Sequence, residues 1–263
     1  FSDKPILGSP KTIRRLARDD LVSFKKRFYL PANMVIFVCG GFEEEKVMRV
    51  IERTFGRIKP AEFEPEERQI SLVNRHREIF KKRKALKLVY MALGHKVPGF
   101  NHRDSLKLML LESILSEGMS SRLYKKLRAE RGIGYNKLES VYDDYGGIGV
   151  FYITVGGFDS RQFKEAKVIV LRELEDLKTN LVSKREFYRA KNLLLAVNDD
   201  NLENIIRRAV MLSDFYFKHA IFDPRNYKKQ IGKISREAIR RTAQKYFSDK
   251  YTLTALVPEN FKK

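Results

Sequence analysis

The sequence predicts an α+β fold, built twice in tandem with the first copy truncated. Three observations predict it. Helical and strand periodicities alternate along all 263 residues. Hydrophobic residues make up 43%, enough for a packed core and too many for a disordered basic tail. A helix–strand unit near the start of the chain recurs near its end. The longest apolar runs, Met34–Cys39 and Leu88–Leu93, fall far short of the ~20 residues that a membrane span needs, so no membrane partner is expected.

Ser9 before Pro10 is a helix start, a capping hydroxyl followed by a ring already set for the first turn. Leu21, Phe24 and Phe28 then recur at helical spacing, predicting a helix from Arg18 to Tyr29. Leu30-Pro31-Ala32-Asn33 breaks it, and Met34–Cys39 predicts a strand closed by Gly40-Gly41. Residues 42–55 are helical again. Residues 57–68, with Pro60 and Pro65 among acids, form a linker between a first domain over 1–56 and a second over 69–263.

In the second domain Lys87–Leu93 is a strand, and 103–116 and 120–131 are helices, the latter stopped by Gly132. Two strands, 134–142 and 147–155, flank a hairpin turn at Asp143-Asp144-Tyr145-Gly146. Asp159 with Gln162 opens a helix whose apolar face is Phe163, Ala166, Val170, Leu174 and Leu177. Ser183 with Glu186 is a capping box that opens a long helical region reaching Phe217.

The stretch from Thr12 lays over the stretch from Gln230 without a gap, at an offset of 218 residues. Ile13 falls on Ile231, Leu16 on Ile234, Leu21 on Ile239, Phe28 on Tyr246 and Val38 on Leu256. The second copy follows a long run of strands and helices and the first follows barely a dozen residues. The repeat therefore predicts that the N-terminal part of the first copy is missing, since a lone helix–strand stub would leave an unpaired sheet edge.

Lys and Arg number 53 against 33 Asp and Glu, a formal charge of +20. Such a charge invites a nucleic-acid partner, but the basic runs (Lys25–Arg27, Lys81–Lys84, Arg240-Arg241) are scattered among acids on solvated faces, and nucleic-acid binding is the weakest of the readings. Charged residues at 33% also fit a heat-adapted surface. The single cysteine, Cys39, excludes a disulfide framework and reads as inert core.

The strings PILGSPKTIRRLARDDLVSFKKRFYLPANMVIFVCGGF (5–42) and LLESILSEGMSSRLYKKLRAERGIGYNKLESVYDDYGGIGVFYI (110–153) are similar to parts of the pitrilysin/insulinase and mitochondrial processing peptidase family of zinc endopeptidases. The first resembles the end of the family's N-terminal catalytic domain and the second the middle of its second, metal-free domain. The resemblance implies a processing-peptidase-like fold, with an antiparallel-rich mixed sheet and helices mainly on one face.

The family holds zinc through an inverted H-x-x-E-H motif with a further Glu, in which the intervening Glu acts as base on a zinc-bound water. None of the four histidines here, His76, His95, His102 and His219, has that spacing. No catalytic base or metal ligand is therefore assigned to this chain. Zinc is expected in an H-x-x-E-H-bearing domain or subunit that would be its partner, in a homo- or heterodimer or in one longer chain. The resemblance does carry over two residues, Arg128 and Tyr135 in LRAERGIGY, which match a pair that reaches across to the zinc site. A guanidinium can fork onto peptide carbonyls and a phenol can donate to an oxyanion. Taken without the resemblance, an Arg in a last helical turn and a Tyr at a strand start are ordinary features.

The expected function is thus the C-terminal part of a zinc metalloendopeptidase, supplying substrate-binding and transition-state-stabilising residues for peptide hydrolysis and inactive alone. The alternative is a naturally non-catalytic subunit of a two-chain peptidase. Compartment stays open between cytoplasm and periplasm. Ser120-Ser121 is expected as a helix cap rather than a nucleophile, and Phe187, Tyr188 and Phe215–Phe217 as helix packing.

Overall fold

A computed structural model describes residues 7–63, 71–218 and 226–262. The chain divides into two compact units, Phe1–Gln69 and Ile70–Lys263.

The first unit holds three helices: α1 (Pro10–Ile13), α2 (Arg18–Phe28) and α3 (Glu44–Thr54). The Ser9 cap forms, with its hydroxyl accepting from the Thr12 N–H and Thr12 Oγ1 accepting in return from the Ser9 N–H. None of residues 7–63 is buried, and Leu21, Phe24 and Met48 are among its exposed side chains. Met34–Cys39, expected as a strand, forms none. A strand is completed by a neighbour's backbone groups, and no strand of this unit is described to supply them. Cys39, expected in the core, is accordingly only half-buried. The linker expected over 57–68 is described up to Phe63, and 64–68 lie outside the described residues.

The second unit is built on five strands: β1 (Arg77–Arg83), β2 (Val89–Pro98), β3 (Lys137–Asp144), β4 (Ile148–Phe158) and β5 (Thr252–Pro258). Their order across the sheet is β1-β5-β2-β4-β3, with β1 parallel to β5 and every other pair antiparallel. Alternate residues point to opposite faces. Met91, Leu93, Ile153, Val155, Leu253 and Val257 are buried on one of them. There they pack under α4 (Ser105–Ser116), α5 (Phe163–Thr179) and α9 (Arg236–Tyr246), each large side chain contributing ~2 kcal/mol. Their neighbours Tyr90, Ala92, Tyr152, Thr154, Thr254 and Leu256 stay half-buried or exposed on the other face. This is the mixed, antiparallel-rich sheet with helices on one face that the sequence implied.

Three expectations change here. Arg77–Arg83 is a strand, although its charges read as a solvated run. The hairpin turn falls at Tyr145–Ile148, because Gly146 and Gly147 take φ of 77° and 90° and supply the two positive values a tight twisted turn needs. The long helical region splits into α6 (Lys184–Glu203) and α7 (Ile205–Phe217), since the Asn204 side chain leaves the helix to cap the Arg207 N–H at 3.0 Å. The chain then continues through α8 (Tyr227–Gly232) to α9. Of the aromatic residues read as helix packing, Phe187 is buried, whereas Tyr188, Tyr216 and Phe217 are exposed.

The two stretches expected as a repeat share a helix and no more. Helices α2 and α9 have 11 residues each, begin at Arg18 and Arg236, and end on the equivalent contacts of Tyr29 N–H with Lys25 O and Phe247 N–H with Ala243 O. The likeness stops at the strand, which follows α9 but not α2.

Candidate functional site

Residues 122–131 form a helical segment that ends beside the sheet, and Tyr124–Ala129 within it are π-helical. A π turn inserts one residue into the hydrogen-bond ladder and is frequent at functional positions. The wider turn carries into the end of the segment. The Gly132 N–H reaches Arg128 O at 3.1 Å and the Ile133 N–H reaches Leu127 O at 2.8 Å. Both bonds span one residue more than the usual nested pair of a glycine-ended helix. Gly132 takes φ of 65° and Gly134 83°, and a Cβ on Gly134 would lie 3.3 Å from Val155 Cγ1. Ile133 between them is fully buried and pins the loop.

This loop brings Arg128 and Tyr135 together. Arg128 Nη2 donates to the carbonyls of Gly134 and Tyr135, the latter at 2.8 Å. The guanidinium carbon sits 5.4 Å from the Tyr124 ring centre and 5.7 Å from that of Tyr135, so two aromatic faces hold it flat. Nε is buried without a partner among the described residues. The Tyr135 side chain is 67% exposed and its hydroxyl has no partner among the described residues. The pair shares one open surface, with a planar cation oriented beside a free phenolic donor.

Two further contacts set the place of this pair. Asn136 Nδ2 donates to the Tyr90 hydroxyl at 3.0 Å, tying the loop to the helix-free face of β2. At the other end of the segment, Arg122 binds Asp176 of α5 and Glu186 of α6, the latter at 2.9 Å, with Glu173 at 3.6 Å. Burial opposes the charge on Arg122, and the bonds to Glu186 and Asp176 outweigh it, so its pKa is raised. Sequence reasoning passed over Tyr124 and the anchoring role of Arg122. The first was readable from its four-residue spacing to Arg128, which puts both on one helix face. Ser121, expected as a cap, instead has a buried hydroxyl with no partner among the described residues.

The described histidines are spread through the fold. His95 is 2% exposed and its Nε2 lies 2.9 Å from Ser248 O, with burial pushing its pKa down. His102 Nδ1 accepts from the Asp104 N–H at 3.0 Å. His76 Nε2 stands 3.9 Å from Glu78 Oε1, and His219 lies outside the described residues. Among the described residues no group of three or more His, Cys, Asp or Glu could hold a metal. These side chains do not fit a zinc site. No described helix is long and apolar enough to cross a membrane.

The family model described as the peptidase M16 inactive domain matches residues 15–194. The chain is 25% identical to the zinc protease PqqE of Helicobacter pylori, over 95% of this chain and 57% of that protein. It is 23% identical to the uncharacterized zinc protease YmxG of Bacillus subtilis, over 97% of this chain and 61% of that one. The chain thus spans about three-fifths of the length of the curated relatives it matches. Among solved structures, a protease from Helicobacter pylori superposes with a TM-score of 0.84 at 24% identity, covering 96% of this chain and 62% of that one. A peptidase M16 inactive domain from Pseudomonas fluorescens gives 0.84 at 16% identity, covering 97% and 61%.

Proposed function

Because the chain belongs to the peptidase M16 family, as a carrier of its inactive domain, we propose that it is the non-catalytic, substrate-clasping part of a zinc metalloendopeptidase. Metal and base come from an H-x-x-E-H-bearing partner domain or subunit, and this chain supplies Arg128 and Tyr135. The observation that carries the reading is the guanidinium held between the Tyr124 and Tyr135 rings at the margin of an open sheet face, next to a hydroxyl with no partner. Its remaining amino group, Nη1, can donate to a substrate carbonyl, and Nη2 can trade its loop carbonyls for those of a peptide. The Tyr135 hydroxyl can donate to an oxygen on which charge develops as the peptide bond is attacked.

The test is peptide hydrolysis by the chain assembled with its H-x-x-E-H-bearing partner. Tyr135→Phe should lower kcat ~10–100-fold with little change in KM, because a donor used only in the transition state is lost. Arg128→Ala should lower kcat/KM ~100-fold, and Arg128→Lys should recover only part of that, since one ammonium cannot replace a planar fork. The isolated chain should show no chelator-sensitive activity. Wild-type turnover by both Arg128→Ala and Tyr135→Phe would overturn the assignment.

A further inference from the structure

The five strands leave one sheet face without helices, and side-chain alternation puts Arg77, Ile79, Lys81 and Arg83 of β1 on it. Their sequence neighbours go the other way, with Phe80 packed on Phe163 of α5 at 5.5 Å and Glu78 paired with Lys167. Arg77, Lys81 and Arg83 form no ion pair or side-chain hydrogen bond among the described residues. Some other cations of this unit are matched, as in Lys137 with Glu139 at 2.8 Å and Arg131 with Glu165 at 2.8 Å, and, among the described residues, others on the helices such as Lys164 and Arg172 are not. Of the β1 cations Lys81 lines a shallow hollow of about 360 Å³, and Arg83 follows it two residues along the same face of β1. Its floor is Ala92, Thr154 and Thr254, and Lys81 and Tyr90 bound it. Ile79 and Leu256, 39% and 42% exposed, add apolar surface beside the charge.

The registers connect this hollow to Arg128 and Tyr135. Lys81 lies opposite Leu256, Leu256 opposite Tyr90, Tyr90 opposite Gly156 and Gly156 opposite Lys137, two residues past Tyr135. That row crosses four interstrand spacings, ~19 Å, which an extended peptide covers in about five to six residues. The row is nearly flat at Gly156, where a Cβ would come within 2.5 Å of the Tyr90 ring. Lysines on an edge strand also discourage strand-to-strand aggregation. That role calls for charge along β1, but not for a lysine placed against an apolar hollow with an arginine two residues on along the same face.

We infer that this face receives an extended acidic peptide, with a carboxylate side chain at the Lys81–Arg83 rim about five to six residues from the residue held at Arg128. The inference rests on the preceding reading of Arg128 and Tyr135 as substrate contacts, and it names the substrate class for that site. Individual exposed ion pairs are weak, so selectivity comes from Lys81 and Arg83 acting together on one carboxylate and from the apolar surface beside them.

Fluorescence anisotropy with the 263-residue chain tests it, using ten-residue labelled peptides that differ only in carrying Glu, Gln or Lys at the predicted spacing. The Glu peptide should bind about tenfold more tightly than the Gln peptide, with the gap closing between ~50 and ~300 mM salt. Lys81→Glu with Arg83→Glu should reverse the order in favour of the Lys peptide, with circular dichroism unchanged. Arg128→Ala should weaken all three peptides alike. Equal binding of the three peptides, all weakened by Arg128→Ala, would overturn the acidic rim and leave the substrate-clasping role standing. Failure of every peptide to bind would remove both. Displacement of the Glu peptide by sub-stoichiometric duplex DNA would assign the rim to nucleic acid instead. Aggregation of the double variant with the wild-type peptide order retained would assign it to edge protection.

Discussion

Glu112 lies on the sheet-facing side of α4, beside a largely apolar hollow of about 490 Å³ that also takes in Leu194, Val197 and Tyr227. Burial, reinforced by the nearby charges of Glu117, Asp143 and Glu139, pushes its carboxyl from 4.5 up to about 8, although it accepts the Tyr142 N–H. A carboxyl that holds its proton more tightly folded than unfolded makes stability fall as pH rises from about 4.5 through about 8. Glu112→Gln should therefore leave the thermal midpoint almost unchanged at pH 4 and raise stability by roughly 1–2 kcal/mol at pH 9, since the side chain is only half-buried. Equal midpoints for the two proteins across that range would refute the assignment. Asp104 has the opposite sign. Burial pushes its carboxyl up, but bonds from Lys107, Tyr246 and Lys245 outweigh this and hold it low, so the stability it contributes is lost only in strong acid. At this scale Arg128 and Tyr135 stood out in the sequence only through the family resemblance, since their spacing alone is ordinary. Their convergence was not legible, because it depends on the buried Ile133 and on two left-handed glycines that turn the loop back toward the guanidinium.

Among the elements, the helical segment 122–131 owes its position to Arg122 and its three acidic partners on α5 and α6. Removing one side of such a half-buried network strands the other charges. Arg122→Ala should cost ~3 kcal/mol in urea unfolding and speed hydrogen exchange in 122–131 ahead of the sheet. A loss below ~0.5 kcal/mol would mean that apolar packing through the fully buried Leu123 and Leu127 positions the segment by itself. Amphipathic helices were the most legible elements: α2 and α5 begin at Arg18 and Phe163, within the expected bounds, because their apolar stripes are local in sequence. β1 was not legible. Five of its seven residues, REIFKKR, are charged and poor strand formers, and what makes it a strand is β5 at the far end of the chain. Met34–Cys39 fails for the complementary reason, a strand-forming composition with no described partner.

Over the whole molecule the apolar core is confined to the second unit, from Val89 to Phe261, while none of residues 7–63 is buried. A chain beginning at Ile70 should unfold as one cooperative transition, with a midpoint within a few degrees of the full chain. Residues 1–69 alone should show helical circular dichroism and no cooperative transition. A large drop in midpoint on removing the first unit would contradict this division. The charge of +20 said little about fold, and most of the basic surface is dispersed over helices. The strand that closes this architecture is the last one made. β5 lies between β1 and β2, so on a ribosome adding ~5–20 residues per second those two earlier strands wait with a gap between them until the C-terminal segment emerges. From the making of β2 until that of β5, about 150 residues later, the edge of β2 stays open, and whatever shields it in that interval guards the chain against mispairing.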